Sequence, residues 1–221
     1  MNPAGENPWM QTASGRAFDL VAPTAAMVDL GHDVPGALAR ISRFGGHVPS
    51  GSYSVAQHCV LGVDAILAAG AADGWHVAQA FLLHDAHEAY IGDITTPMQD
   101  ALAQVAAQIA PDAADAAPLM RTVIREMKRR CDGAIHEAAG LPWPLPKHIH
   151  AQVKAWDLAM LATERLHLMP RAPRPWDPVV EAAQPVRLRG RIQIWPWPRA
   201  ADEWSMRLRT LFPHAAARAS A

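Results

Sequence analysis

Cysteine is scarce. The 221-residue chain has two, Cys59 and Cys131. They form no disulfide framework, no Cys-x-x-Cys and no zinc-finger spacing, so a reduced, cytoplasmic setting is expected. An excess of charge is also missing. Twenty basic and 21 acidic side chains leave a formal net charge of −1, so no global basic field points to nucleic acid. The most basic run, Arg125 to Arg130 (REMKRR), reads as a solvated helix face. No apolar run approaches the ~18 residues of a membrane span. Residues 1–16 lack the basic and apolar regions of a signal peptide. The expectation is a soluble chain with neither a nucleic-acid nor a membrane partner.

What remains is half hydrophobic (50%) with 19% charged residues, which fits one domain over 1–221 with a helical core about 33–169. Residues 1 to about 32 carry Pro3, Pro8 and Pro23 and read as an irregular arm. A short helix is expected over 33–44, with Asp33 as its N-cap. Another runs from Ser54 to Gly70, where Ser54 and Gln57 make a capping-box pair. Further helices are expected over 75–92, 97–110, 117–140, 147–169 and 200–212, bounded by Gly92, Gly140, Pro146 and Pro170. Residues 170–178 read as a proline-rich loop, and 186–195 as briefly extended. With no βαβ alternation, the fold class is all-α.

One stretch breaks the apolar pattern. In FLLHDAHEAYIGDITTPM, Phe81 to Met98, an apolar helix carries His84, Asp85, His87 and Glu88 before Gly92 opens a loop with Asp93. Buried ionisable groups are costly unless paired. His58 (YSVAQHC) and Asp157 (VKAWDLAMLATE) also sit in the middle of apolar helices. Two imidazoles and two carboxylates form a mixed N/O set that suits Mn, Fe, Co, Ni or Zn better than Ca. Taken singly, the residues have plainer readings. Asp157 pairs with Lys154 or Arg165, Glu88 is a helix-end charge, and Asp93 is a turn or N-cap residue before Thr95, Thr96 and Pro97.

In order and separation, RFGGH, YSVAQHC, LLHDAHEAYIGDITTP and VKAWDLAMLATE resemble the HD-domain metal phosphohydrolases. They most resemble the short bacterial and phage branch of 5′-deoxynucleotidases and deoxynucleotide triphosphohydrolases. The resemblance implies an HD-type helical bundle, a nucleotide substrate, one divalent transition metal and a homodimer. His58, His84, Asp85 and Asp157 would hold the metal. Glu88 would activate or orient the attacking water, and Arg43 would hold the phosphate. Asp93 would contact the sugar hydroxyl, with Phe44 and Thr96 completing the substrate site. Phe44 stands where the deoxynucleotidases tend to carry a tryptophan. Gln57 replaces a frequent glutamate and keeps the capping role.

The expected activity is hydrolysis of a 5′-deoxynucleoside monophosphate. A triphosphohydrolase would use the same metal set with extra cations near Arg43, for which Arg40 and Lys154 are candidates. A non-catalytic nucleotide or metal sensor would not need Glu88 and Arg43. A zinc peptidase lacks its motif, since neither HExxH nor HxxEH occurs. His87 could join a second metal, but no clear set of further histidines accompanies it, so it reads as a pocket-wall or outer-shell group; His47 and His32 stay unassigned.

Overall fold

Local chemistry starts and stops the helices that matter most. The Ser54 hydroxyl accepts the Gln57 N–H at 3.2 Å and begins a helix that ends at Gly70 in the left-handed region (φ 66°). In the computed structural model, which describes residues 7–110 and 113–214, the fold is all-α. The helices are α1 (Asp33–Leu38), α2 (Val55–Ala69), α3 (Gly74–Leu83), α4 (Glu88–Ile91), α5 (Thr96–Ile109), α6 (Ala113–Ala139), α7 (Lys147–Leu168), α8 (Pro178–Ala182) and α9 (Trp197–Leu211). Among the described residues, no helix is long and apolar enough to cross a membrane.

α2 packs on α3 and α9, α3 packs on α7, and α5 pairs with α6. One apolar core runs from Phe18 to Phe212 and includes Leu38, Phe81, Ile135, Met160 and Trp204. Gly62 lets α2 and α3 come close: a Cβ there would lie 2.1 Å from Phe81 Cε1. The Phe81 ring in turn lies against His58 and His84, with centroids 5.5 and 4.3 Å apart. Gly62→Ala should therefore overpack the core and cost about 1–3 kcal/mol. Thermal melts should show Tm lower by roughly 3–10 °C. An unchanged Tm would mean that the helices separate freely at this contact.

Several expected elements differ. The arm carries a short antiparallel ribbon, β1 (Trp9–Gln11) with β2 (Ala17–Asp19). It docks through Phe18, whose ring stacks on Tyr90 at 3.6 Å. The first six residues of that expected arm lie outside the described residues. α1 stops at Leu38, and Asp33 is not its cap, because its carboxylate accepts the Ser14 N–H and hydroxyl, each at 2.7 Å. Residues 186–195 form no strand. Their backbone bonds go to helical side chains instead, as when Val186 N–H donates to Thr163 Oγ1 at 2.7 Å. Gln57 does not close the capping box. Its amide donates to Gln193 O at 2.7 Å and accepts the Trp195 N–H at 3.0 Å, tying that segment to α2. The proline-rich stretch gains α8, capped by Asp177 on the Val179 N–H at 2.8 Å.

Candidate metal centre

α3 does not continue through His84–Glu88 as the apolar pattern predicts. After Leu83 the backbone tightens into i→i−3 bonds, with Ala86 N–H donating to Leu83 O and Glu88 N–H to Asp85 O, both at 3.0 Å. Three residues per turn places i and i+3 on one side. Glu88 therefore lies beside Asp85 rather than over His84, and ligand atoms of Asp85, His87 and Glu88 fall within 4.8 Å of one another.

Three of the four expected ligands, His58 from α2, His84 from the turn after α3 and Asp157 from α7, bring donor atoms within 4.8 Å of one another, while Asp85 adjoins His84 and His58 without joining that group. His58 Nε2 is 3.3 Å from His84 Nε2 and 3.4 Å from Asp157 Oδ1. His84 Nε2 is 3.3 Å from Asp85 Oδ2 and 3.6 Å from Asp157 Oδ1. His58 Nε2 and Asp85 Oδ2 are 3.8 Å apart. Ligand bonds of 2.0–2.2 Å put neighbouring donor atoms about 2.8–3.6 Å apart in octahedral or tetrahedral geometry, which the His58, His84 and Asp157 spacings approach. The side chain of Asp157 is 43% exposed and forms the open side.

The outer atoms fix the inner ones. His84 Nδ1 lies 2.6 Å from the Phe81 carbonyl, which only accepts, so Nδ1 carries the proton. His58 Nδ1 lies 2.6 Å from Glu164 Oε1 and donates to it. Both imidazoles, when neutral, then turn an Nε2 lone pair toward nearby carboxylate oxygens, an arrangement that a positive charge among them satisfies. Without a metal, protons take that place. Burial opposes it, but the Asp85 charge and bonds to Asp157 and Asp85 hold His84 well above the ordinary histidine value, and Glu164 and Asp157 raise His58 despite burial and Arg43. The donor types, spacing and outer hydrogen bonds all fit a divalent ion.

Glu164 is the residue of this cluster that the sequence motifs did not single out. It is fully buried on α7 and accepts from Tyr53 Oη at 2.8 Å, His58 Nδ1 at 2.6 Å and Arg43 Nε at 3.2 Å. Burial works against its charge, yet Arg43, His58 and Tyr53 hold its carboxyl below the ordinary value. The signal was its spacing from Asp157 (164 − 157 = 7), two turns along an otherwise apolar helix face.

Arg43 spans the centre, with Nη1 on Asp85 Oδ2 at 3.1 Å and Nε on Glu164. Phe44 follows in the left-handed region (φ 57°), a strained position for a non-glycine residue, and its half-buried ring leans toward Trp176 at 6.3 Å. Glu88 is buried, and its Oε2 has no hydrogen-bond partner among the described residues. Burial, then the charges of Asp85 and Asp93, push its carboxyl up to about 9. Asp93 lies within the same field, raised by burial and Asp85 and opposed by Arg43 and Lys128.

Thr96 is exposed at the start of α5 and is not drawn into the cluster. His87 turns to α6, its Nδ1 3.0 Å from Asp132 Oδ1. Arg165 pairs with Glu181 at 2.8 Å, so it is not the partner of Asp157. Arg40 donates to Gly36 O at 2.6 Å and lies over Trp197 at 3.7 Å, so it is engaged elsewhere. Cys59 is buried beside His84, and burial pushes its thiol up to about 11, which keeps it a packing group.

No family model matches the chain. It is 28% identical over 201 residues to an uncharacterized protein of Rhodobacter capsulatus, covering 90% of this chain and 93% of that one. It is 35% identical over 137 residues to the uncharacterized protein YfdR of Escherichia coli K12, covering 62% of this chain and 60% of YfdR. Neither name states an activity, so the chemistry of the site carries the functional reading.

Proposed function

We propose that the chain is an HD-type metal-dependent phosphohydrolase that converts a 5′-deoxynucleoside monophosphate into a deoxynucleoside and phosphate. The observation that carries this reading is one juxtaposition: the His58, His84 and Asp157 donors gathered with Asp85 beside them, and the Arg43 guanidinium 3.1 Å from the Asp85 carboxylate. A phosphate ester needs both, a cation at its oxygens and a planar donor alongside. A divalent Mn, Co, Fe, Ni or Zn ion would supply Lewis-acid activation of water and of a phosphate oxygen.

The protein's own residues do the rest. With a cation held beside Asp85, Glu88 would lose its proton; ionised, it takes one as water attacks phosphorus, the P–O5′ bond breaks, and that proton passes to the leaving 5′-oxygen. Arg43 has already bonded Asp85 and Glu164 through Nη1 and Nε. That fixes the fork and leaves Nη2 for a phosphate oxygen. Phe44 offers an apolar wall that gives a ribose 2′-hydroxyl no partner, and Asp93 accepts from the 3′-hydroxyl.

The test is phosphate release from a nucleotide panel by metal-replete protein. 5′-Deoxynucleoside monophosphates should release phosphate, with kcat/KM above that of the matched ribonucleotides by roughly 10²-fold or less. Arg43→Ala should lose about 2–4 kcal/mol of transition-state stabilisation. Arg43→Lys should recover part of it, since lysine lacks the fork. Triphosphate release from a dNTP instead would move the reading to a triphosphohydrolase. Equal rates on ribo- and deoxynucleotides would remove the sugar-reading role, and no release from any nucleotide would sink the activity.

A further inference from the structure

His87 stands in the same turn as His84 and Asp85 but has no part in the centre described above. Its ring is 5% exposed, and its Nδ1 lies 3.0 Å from Asp132 Oδ1. A carboxylate only accepts, so Nδ1 carries the proton and Nε2 keeps its lone pair. That Nε2 is buried and makes no hydrogen bond among the described residues. The same outer bond prepares His58, through Glu164, and His84, through the Phe81 carbonyl. Their Nε2 atoms lie 3.3 Å apart, whereas that of His87 is left bare.

Two carboxylates accompany it. One ligand atom each from Asp85, His87 and Glu88 lies within 4.8 Å of the other two. The i→i−3 turn accounts for the grouping, since it sets Asp85 and Glu88 on one side. Glu88 Oε2 is also buried without a hydrogen-bond partner among the described residues. An unpaired polar atom is costly in the interior, and this one group holds two. His136 also has a buried, bare Nε2, but its ring packs on Trp143 with centroids 4.6 Å apart, and it joins no such group among the described residues.

We propose that Asp85, His87 and Glu88 form a second divalent-metal site that adjoins the first through Asp85. This rests on the metal-centre and phosphohydrolase reading above. Two carboxylates and one imidazole make a more oxygen-rich set than the first site, suited to Mn or Zn. Charge permits a second ion. When ionised, Asp85, Glu88, Asp157 and Glu164 sum to −4 and Arg43 returns +1, so one divalent ion leaves −1 (−4 + 1 + 2). Repulsion between two dications beside one carboxylate makes this the weaker site. Filling it occupies the carboxylate that takes the proton from water, so the second ion lowers turnover.

The experiment titrates the full-length protein with Mn(II) alone. Bound metal is counted by equilibrium dialysis with elemental analysis, and EPR reads the surroundings of each ion. Wild type should take up two ions per chain, the second more weakly. The first should give the resolved hyperfine lines of an isolated ion. The second should replace them with an exchange-coupled spectrum, because ions in two-metal sites lie about 3.5–4 Å apart. His87→Gln should keep the first ion and hold the second at least about 10-fold more weakly, since losing a ligand costs no less than losing its outer-shell partner. On a nucleotide that wild type hydrolyses, the rate should peak near one equivalent and fall as the second ion loads, and His87→Gln should lack that fall. Saturation at one ion per chain, a second ion whose spectrum stays uncoupled, or a second ion held equally well by His87→Gln would each overturn the site. The wild-type count and spectrum decide the matter even where the variant does not fold. A coupled, His87-dependent pair in a protein that hydrolyses no nucleotide would sustain the site and overturn the phosphohydrolase reading alone.

Discussion

Glu88→Gln is expected to keep its bound metal and lose about 10²–10⁴-fold in kcat, the typical contribution of a general acid–base group. Glutamine preserves the shape of a side chain that is 5% exposed but cannot take a proton from water. The same substitution should act in the opposite direction on stability. In the metal-free protein, burial and then the charges of Asp85 and Asp93 lift the Glu88 carboxyl from 4.5 to about 9. Between those values the unfolded chain is ionised while the folded chain still holds the proton, so wild-type stability falls as pH rises through that window. The glutamine variant does not titrate. Its stability relative to metal-free wild type should therefore grow from pH 5 to pH 9, as read by denaturant melts at several pH values. Loss of activity together with a pH-independent stability gap would mean that Glu88 is not strained by its surroundings. Wild-type turnover would remove it from the chemistry.

That His58, His84, Asp85 and Asp157 would need one another was legible because its cost was legible: each stands in an apolar stretch of sequence where ionisable groups do not sit without partners. The geometry between them was not. The tightening of the chain over His84–Glu88 leaves no mark in the hydrophobic periodicity, yet it decides that Glu88 accompanies Asp85. The pair Ser54 and Gln57 carried the signature of a capping box, but only Ser54 follows it. Gln57 is taken by a segment 136 residues away, a tertiary claim that outweighs local propensity. One signal was present and readable by phase alone: Glu164 repeats the face of Asp157, which a helical projection separates from the run of sequence around it. The fold class survived these errors because helix starts and stops are set locally, at Ser54, Gly70, Gly92 and Pro146, while side-chain partners are set by the packing of distant elements.

Glu164→Gln should damage the metal centre without touching a ligand. In wild type the carboxylate accepts three bonds, from Tyr53 Oη, His58 Nδ1 and Arg43 Nε. Glutamine has one accepting oxygen and two N–H donors. The Tyr53 hydroxyl can rotate to accept, but Arg43 Nε–H cannot. If the new amide faces His58, Nδ1 must accept, and the imidazole proton moves to Nε2, the atom aimed at the ion. Metal affinity should therefore fall 10–100-fold, the usual effect of losing an outer-shell partner. Arg43 keeps Asp85 but loses its fully buried counter-charge, so stability should fall by about 3–5 kcal/mol, as when one member of a buried pair is removed. Competition with a chelator of known affinity reads the first effect, and denaturant melts of the metal-loaded protein read the second. Glu164→Asp serves as the companion variant. It keeps the charge and shortens the reach, so it should retain more stability than Gln while still loosening His58. If Glu164→Gln held its metal within twofold of wild type, the tautomer of His58 would be set by something other than Glu164, and the convergence of the two Nε2 atoms would need another cause.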